Sequence, residues 1–207
     1  MESRKVDRRI ARTRRRLQEA IGTLILQKGY DSISVQDILD QADVGRSTFY
    51  GHFNNKAELL LSGFENLEEE IAKDRPGDPL RKAERYENYW SFSLVFLRHA
   101  GDHLPIFTAL LGRLGGQLVT QHLQSLISEL FRASVRSRLP GSADAEARLD
   151  MLACHVAGSL LGMTAWWLEH GTPFTPEQMS DFYRRVTKPG VDAFLEPSKG
   201  RPRKPAR

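Results

Sequence analysis

Two short helical patterns joined by a tight turn, beginning at Ser34, constrain the fold more than any other feature of the chain. The first pattern runs from Val35 to about Gln41, the turn occupies Ala42 to Val44, and the second pattern opens near Gly45. Ser34 is suited to cap the first helix, and Asp37 adds a carboxylate where the helix dipole favours one. This spacing predicts a helix-turn-helix.

The two predicted helices differ in the side chains that they present. Val35, Ile38 and Leu39 fall on one face of the first helix, as packing residues do. The second helix carries groups that reach phosphates and base edges, namely Arg46, Ser47, Thr48, Tyr50 and His52. The outer face of the second helix is therefore predicted to read DNA.

The next residues carry a family resemblance. The run Phe-Tyr-Gly-His-Phe at 49–53, followed after two residues by Lys-Ala-Glu-Leu-Leu at 56–60, resembles the aromatic-rich end of the TetR (tetracycline-repressor-like) DNA-binding domain and its linker helix. The resemblance extends from about Thr13 to Phe64. The family usually has Gly where this chain has Asp43, and Ser where it has Gly45. Both changes are mild, because Asp tolerates the left-handed conformation and Gly is an acceptable N-cap.

The resemblance implies an all-α protein of about nine helices. The expected domains are a helix-turn-helix domain at 1–53 with a basic N-terminal arm, a linker helix at 54–73, a helical ligand-binding and dimerisation domain at 80–195, and a basic tail at 196–207. The expected function is that of a ligand-responsive repressor, which binds a palindromic operator as a dimer and responds to a small-molecule effector. An activator with the same DNA-binding domain would have the same sequence features.

The expected DNA contacts divide into two kinds. Base edges are assigned to Arg46 and Ser47, and phosphates to five residues: Thr13, Thr48, Tyr50, His52 and Lys56. The resemblance also implies that the Arg-rich arm before Thr13 reaches toward the minor groove. The alternative for Thr13 and for Lys56 is an ordinary exposed side chain.

The first helix is predicted to run from Asp7 or Thr13 to Lys28 and to end at Gly29. Apolar residues recur along it at three- and four-residue spacing: Leu17, Ala20, Ile21, Leu24 and Ile25. Its beginning is basic, and cations there oppose the helix dipole. A phosphate backbone would favour this placement.

The net charge of +4 conceals an uneven distribution. Residues 1–16 contain eight Lys or Arg against two acids, and residues 197–207 contain five Lys or Arg and no acid, so the intervening region is acidic. Basic ends suit contact with a polyanion, whereas the alternative is that they only keep the chain soluble.

Asn54 or Asn55 is predicted to cap a helix that extends from Lys56 to Lys73. The prolines and glycine at 74–79 then mark a domain boundary. Beyond them the patterns are helical only, at 80–100, 104–114, 119–139, 151–168 and 175–195, and no segment alternates with a period of two.

The aromatic-rich body could enclose a small apolar ligand. The predicted lining consists of Trp90, Phe96, Phe107 and Trp166, with His99 or His103 as polar groups. The alternative is that these aromatic residues only form the core.

The run from Met151 to Leu168 has His155 as its single ionisable side chain and reaches the lower length limit for a membrane span. Acidic residues bracket it without a positive-inside pattern, and polar residues dilute it. With 175–195, it instead fits the dimer-forming four-helix bundle of the family, to which each chain contributes two helices. No membrane contact is expected.

We found no catalytic constellation in the sequence. Cys154 and His155 are neighbours on a helix and point about 100° apart, and the pair His99 and His103 has no apparent third metal ligand. A single cysteine and the absence of a signal-peptide pattern indicate the cytoplasm. Neither enzymatic activity nor a cofactor or metal is expected.

The C-terminal tail resembles the AT-hook, a short motif that lays Arg-Pro-Arg along the minor groove of A·T-rich DNA. Arg201 and Arg203 would make that contact. The alternative is a basic tail that adds only non-specific affinity. If the arm and tail bound DNA without a sequence code, the protein would be an architectural A·T-rich DNA-binding protein.

Overall fold

The computed structural model describes residues 2–65, 67, 90–111, 116–136, 143–171 and 174–195, and within these ranges every regular element is an α-helix. The described helices are α1 (Glu2–Lys28), α2 (Val35–Ala42), α3 (Arg46–Tyr50), α4 (Lys56–Ser62), α5 (Ser91–Asp102), α6 (Leu104–Leu111), α7 (Gln117–Val135), α8 (Ala143–His170) and α9 (Pro176–Leu195). The predicted all-α fold is confirmed.

Helices α1 to α4 form an N-terminal head around one apolar core. The α1 side chains Leu17 and Ile21 are buried, and they pack in a cluster with Ile38 of α2 and Phe49 of α3. Gly29 ends α1 at φ 75°, a left-handed conformation that glycine adopts without steric cost. The amphipathic stripe read from the sequence is therefore the face that holds the head together.

Helix α1 begins earlier than the predicted start at Asp7 or Thr13. It is helical from Glu2 onward, so the residues expected to form the basic N-terminal arm are its first turns. Residues 2–12 contain neither Gly nor Pro and are rich in Arg, which favours a helix.

The helix-turn-helix forms as its caps predict. The Ser34 hydroxyl accepts from the Asp37 N–H at 3.1 Å, while the Asp37 carboxylate accepts from the Ser34 N–H at 2.7 Å, which completes a capping box. The turn then passes through Asp43 at φ 50°, the left-handed conformation expected there. Gly45 is the N-cap of α3.

Helix α4 is shorter than the predicted linker helix. Asn55 caps it, since its side chain accepts from the Glu58 N–H at 2.9 Å. The helix ends at Ser62, and a turn at Gly63 and Phe64 separates it from the helical residues Glu65 and Leu67, while the remaining predicted extension toward Lys73 lies outside the described residues. Gly63 explains this end, because glycine is a weak helix former.

Helices α5 to α9 form the body. α7 packs along α8, and α5 packs against α9. Two polar contacts lie inside this core: the Ser93 and Ser180 hydroxyls are 2.9 Å apart, and the Tyr183 hydroxyl donates to the Val156 carbonyl at 2.6 Å. Burial raises the pKa of Tyr183. These bonds satisfy polar groups that would otherwise destabilise an apolar core.

One helical stretch of the described chain, Asp144–His170, is long and apolar enough to cross a membrane by length and composition alone. Half of its most apolar window is buried inside the protein, as in the core helix of a soluble domain. This stretch is weak evidence for a membrane span.

Three parts of the predicted organisation lie outside the described residues. They are most of the linker segment beyond Glu65, the proposed boundary at 74–79 together with the helical pattern up to residue 89, and the tail at 196–207 with Arg201 and Arg203.

We predict that the capping box makes the stability of the head depend on pH. Hydrogen bonds from the Ser34 hydroxyl, the Lys28 ammonium and the Ser34 N–H hold the pKa of Asp37 well below its usual range. A lowered native pKa stabilises the fold above the unfolded-state pKa of about 4, and this contribution is lost progressively below it. Asp37→Asn should therefore lower the melting temperature at neutral pH, by a margin that shrinks below a pH of about 4.

Thermal unfolding followed by circular dichroism between neutral pH and a pH of about 3 measures this margin. Asp40→Asn is the matched control on the same helix, because Asp40 accepts from the Gln36 amide at 2.8 Å and carries no such capping bonds. A margin for Asp37→Asn that stays constant across the range would contradict the prediction.

Candidate DNA-binding surface and effector cleft

Helix α3 has a polar outer face, and its inner face is held by the buried side chain of Phe49. Phe49 is fully buried, and the Tyr50 ring stands edge-on to it with centroids 5.3 Å apart. Arg46, Ser47 and Thr48 are exposed, and Tyr50 remains 51% exposed. The side chains predicted to meet DNA on this helix therefore share one accessible surface.

Arg46 is oriented by a hydrogen-bond chain from α2. Its Nη2 donates to Gln36 Oε1 at 3.0 Å, and Gln36 Nε2 donates to Asp40 Oδ1 at 2.8 Å. The predicted site did not include Gln36. The sequence does contain a signal for it, because Gln36 and Asp40 are four residues apart on the polar face of α2 and such pairs interact.

The arginines of α1 divide into two sets. Arg14 and Arg16 bind within the protein: Arg14 pairs with Glu65 at 2.8 Å and lies over the Phe53 ring, and Arg16 reaches the Asp43 carbonyl and carboxylate at 3.3 Å. Among the other arginines of α1 whose side chains the structure describes, Arg8, Arg9, Arg12 and Arg15 are exposed. Positions 8, 12 and 15 fall on one helical face, which forms a basic stripe.

Thr13 and His52, both predicted to contact phosphates, are only partly exposed. Thr13 is half-buried in the interior of α1, and its hydroxyl donates to the Arg9 carbonyl at 3.1 Å. His52 is half-buried beside the Phe53 ring, with ring centroids 6.4 Å apart.

Lys56 is occupied by the protein itself. Its ammonium donates to the carbonyls of Ile33 at 2.7 Å, Tyr30 at 3.1 Å and Asp31 at 3.4 Å, and it lies 4.5 Å from the Tyr30 ring centroid. An ammonium has three N–H groups, so these carbonyls can use all of them. Lys56 thereby fixes the loop between α1 and α2 to the start of α4.

The predicted ligand-pocket residues come together only in part. Phe96, His99 and Phe107 meet, with Phe107 centroid distances of 6.0 Å and 5.7 Å to the other two rings. The Trp90 ring packs against Phe92, Phe131 and Tyr183, in the same hydrophobic core.

Trp166 is separate from both groups. It is 47% exposed and stacks on His170, with ring centroids 4.8 Å apart. Its neighbour Trp167 faces α5, where its ring lies 3.4 Å from the position that a Cβ on Gly101 would take. Neighbours on a helix point about 100° apart, so only one of the two tryptophans can line the body interior.

A cleft of about 200 Å³ lies between the head and the body beside His99 and Phe107. Helices α1 and α4 supply one wall, and α5 and α6 supply the other. The lining residues are Gln18, Ile21, Gly22, Ile25, Leu59, Leu60, Gly63, Phe64, His99, His103, Ile106, Phe107 and Leu110.

A second apolar surface lies on the outer faces of α8 and α9, away from this cleft. Its exposed large side chains are Met151, Trp166, Phe174, Phe182 and Val186. Met163, Trp166, Phe174 and Phe182 line a depression of about 520 Å³ in it. Gly158, Gly162 and Gly190 have no atom within 4 Å of a Cβ built on them, so the helix backbones are open to a close approach.

Among the described residues, no group of three or more His, Cys, Asp or Glu side chains is placed to hold a metal ion. His99 and His103 do form a pair, with ring centroids 4.6 Å apart.

Comparison with known proteins identifies the family. Residues 19–62 match the model of bacterial regulatory proteins of the tetR family, and residues 87–189 match that of a transcriptional regulator C-terminal region. The chain belongs to the TetR family. The relatives that it matches are named as transcriptional regulators and not as enzymes.

Among its relatives, this TetR protein is 27% identical over 186 residues to the uncharacterised HTH-type transcriptional regulator YxbF of Bacillus subtilis, with 86% of the chain covered. It spans only 45% of the length of YxbF. It is 25% identical over 162 residues to the transcriptional repressor DhaR of a Mycobacterium species, covering 74% of this chain and 82% of DhaR.

Solved structures of TetR regulators share the fold. A regulator from Streptococcus agalactiae superposes with a TM-score of 0.62 at 23% identity, covering 89% of this chain and 98% of the other. NalD of Pseudomonas aeruginosa superposes with a TM-score of 0.56 at 23% identity, covering 87% and 95%.

We predict that Lys56 contributes to the stability of the head. Lys56→Ala removes the donors of three backbone carbonyls and should lower the free energy of unfolding by about 1 to 3 kcal/mol. Chemical denaturation measures this change. Arg15→Ala, which removes an exposed cation from α1, should leave the stability nearly unchanged. Equal stability of the two variants would contradict the structural role of Lys56.

Proposed function

We propose that this protein is a ligand-responsive repressor that acts in the cytoplasm and binds a palindromic operator as a homodimer. The observation that carries the proposal is the accessible polar face of α3, on which Arg46 is held in a defined orientation by Gln36. A guanidinium can make a bidentate contact to the O6 and N7 atoms of guanine in the major groove, and orienting it beforehand lowers the entropic cost of binding.

The proposed contacts follow the accessibility of each side chain. Arg46 and Ser47 contact base edges, while Thr48 and Tyr50 contact phosphates. The basic stripe Arg8, Arg12 and Arg15 supplies further phosphate contacts along α1, in place of an extended arm in the minor groove. Thr13, His52 and Lys56 remain predicted phosphate contacts, although the bonds that Thr13 and Lys56 make within the protein favour structural roles for those two.

The proposed dimer rests on the exposed apolar face of α8 and α9. A soluble chain seldom leaves so many large apolar side chains on one surface without a partner. Open glycines on the same face allow two helix pairs to approach closely, which suits a four-helix bundle between two copies. Two-fold symmetry of such a dimer would present two copies of α3 to the two halves of a palindrome.

The sign of regulation is proposed as repression. DhaR is named a repressor, and residues 19–62 match the same family of bacterial regulators. DhaS of Lactococcus lactis, 39% identical over 62 residues, is named an activator, so the sign requires a test of its own. A selected operator placed across a promoter should lower reporter expression when the protein is present.

The alternative function is architectural binding of A·T-rich DNA through the basic termini. It is favoured by the concentration of Lys and Arg at 1–16 and 197–207. In this alternative, Arg201 and Arg203 contact the minor groove, and α3 makes no base-specific contact.

Selection of bound sites from random duplex DNA tests the proposed function. Full-length protein and a version that ends at Glu196 should enrich the same palindrome. Arg46→Ala should lose discrimination of about 1 to 3 kcal/mol at the base pair that Arg46 contacts. Gln36→Ala should weaken the same preference by less, because Gln36 acts through Arg46.

Gln121→Ala, at an exposed position on α7, is the matched control and should keep the full preference. Enrichment of A·T-rich DNA without a motif, lost in the version that ends at Glu196, would overturn the proposal and support the architectural alternative. A Gln36→Ala preference identical to that of the unmodified protein would contradict the orienting role of Gln36.

We predict that Phe182→Asp produces a monomer. Phe182 is 59% exposed, so the change does not disturb the core of one chain, but it would bury a carboxylate between two copies. Sedimentation equilibrium should give about 23.5 kDa instead of twice that mass. Affinity for the palindrome should fall by about 100-fold or more, because the second half-site no longer adds avidity.

Leu26→Asp is the control for this prediction. Leu26 is 53% exposed on α1, outside the α8 and α9 face, so the same charge there should leave the dimer intact. A Phe182→Asp protein that remains dimeric would remove this face from the proposed interface.

A further inference from the structure

The cleft between the head and the body is lined mainly by apolar side chains, several of which belong to the hydrophobic core. Its walls come from α1 and α4 on one side and from α5 and α6 on the other, and its volume is about 200 Å³. An engineered apolar cavity of about 150 Å³ in another protein stays dry and binds benzene. This cleft therefore has room for one aromatic ring with a small substituent.

Gly22 keeps the cleft open. It lies in the interior of α1, where glycine is less favourable than alanine by roughly 1 kcal/mol. A Cβ at this position would meet Ile106 Cδ1 at 3.7 Å, an ordinary contact distance. Close packing against α6 therefore does not require glycine here, whereas a larger side chain would occupy the cleft.

Two imidazoles form the polar part of an otherwise apolar lining. His99 and His103 are one turn apart at the end of α5, with ring centroids 4.6 Å apart. His99 also stands edge-on to Phe107, whose ring lines the apolar part. An imidazole N–H can donate a hydrogen bond to a carboxylate. Paired imidazoles beside an apolar slot suit a carboxylate joined to an aromatic ring.

Hydrogen bonds join the two helices of the head-side wall. Gln18 Nε2 on α1 donates to the Ser62 carbonyl at 3.1 Å and to the Ser62 hydroxyl at 3.0 Å on α4. A molecule between this wall and α6 therefore bears on α1 and α4 together. These two helices carry the helix-turn-helix, so occupancy of the cleft acts directly on the part that binds DNA.

We infer that this cleft binds a small aromatic carboxylic acid and that its occupancy changes the affinity of the protein for DNA. The inference gives the effector of the proposed function a site and a chemical class, and its link to DNA rests on that function. The site lies between the head and the body. Trp90 and Trp166, which were predicted to line the pocket, are not among its lining residues.

Calorimetric titration of the full-length protein with benzoate tests the site without DNA. Benzoate should bind with a dissociation constant of about 1 mM or tighter, a modest affinity for a ligand of this size. Benzamide, its neutral isostere, should bind at least about tenfold more weakly, because an amide oxygen accepts a weaker hydrogen bond from an imidazole N–H than a carboxylate does.

Gly22→Leu should reduce benzoate affinity by at least about tenfold, because the leucine occupies the cleft. Thr23→Leu is the matched control: it adds the same side chain at the next, exposed position, about 100° around α1, and should bind benzoate as the unmodified protein does. If Gly22→Leu fails to fold, Ile106→Phe fills the cleft from the opposite wall and serves the same purpose.

The same variants test the link to DNA on the selected operator. Benzoate should change operator affinity several-fold in the unmodified protein and in Thr23→Leu, and should have no effect in the filled variant. Equal benzoate binding by Gly22→Leu and Thr23→Leu, or no benzoate binding by a protein that still binds its operator, would overturn the inferred site. Benzoate binding at the cleft without sequence-specific DNA binding would instead overturn the proposed function and leave the site intact.

Discussion

Burial of α1 on two sides is the interaction on which the rest of the structure depends. One helix supplies Leu17, Ile21 and Ile25 to the core, packs against α2 and α4 within the head, and also touches α6 of the body. Each buried aliphatic side chain contributes roughly 1.5 to 3 kcal/mol, so the helix is held strongly on both sides. A displacement of the body against α1 is therefore transmitted to the helix-turn-helix, because α1 cannot follow the body without carrying α2 and α4.

Charged side chains add contacts between segments of the head whose helices already share an apolar core. Lys56 ties the loop after α1 to α4, Arg16 ties α1 to the turn between α2 and α3, and Arg14 joins α1 to Glu65 and to the Phe53 ring. Each contact joins elements distant in sequence, and several use backbone carbonyls of the loops. Some of the Lys and Arg side chains that the sequence analysis assigned to DNA therefore make contacts within the protein. Fewer Lys and Arg side chains are available to bind phosphates than the composition suggests.

Features set by a few adjacent residues could be predicted from the sequence. Features set by the relative positions of distant segments, or by the rotation of a helix about its axis, could not. The N-cap at Ser34, the turn at 42–44 and a cap at Asn54 or Asn55 follow from a few adjacent residues. The structure has all three, with a left-handed Asp43 in the turn and Asn55 as the cap. The carbonyl contacts of Lys56 required the position of a loop more than twenty residues away. Periodicity identified an aromatic-rich body, but it did not reveal that Trp167 rather than Trp166 faces α5, because rotation of a nearly all-apolar helix leaves its pattern almost unchanged.

The exposed apolar face of α8 and α9 and the cleft between the head and the body differ in the size of the partner that fits them. This difference suits them to different roles. The α8 and α9 face is broad, exposes large side chains and contains open glycines, so it suits a large flat partner such as a second copy of the chain. The cleft at Gly22 is narrow, has walls from both halves of the molecule and carries two imidazoles, so it suits one small molecule. If the first surface fixes the spacing of two heads and the second adjusts each head on its body, a small ligand need not separate the dimer to release DNA. Rotation of each head about α1 would be sufficient, because both copies of α3 must fit their half-sites at the same time.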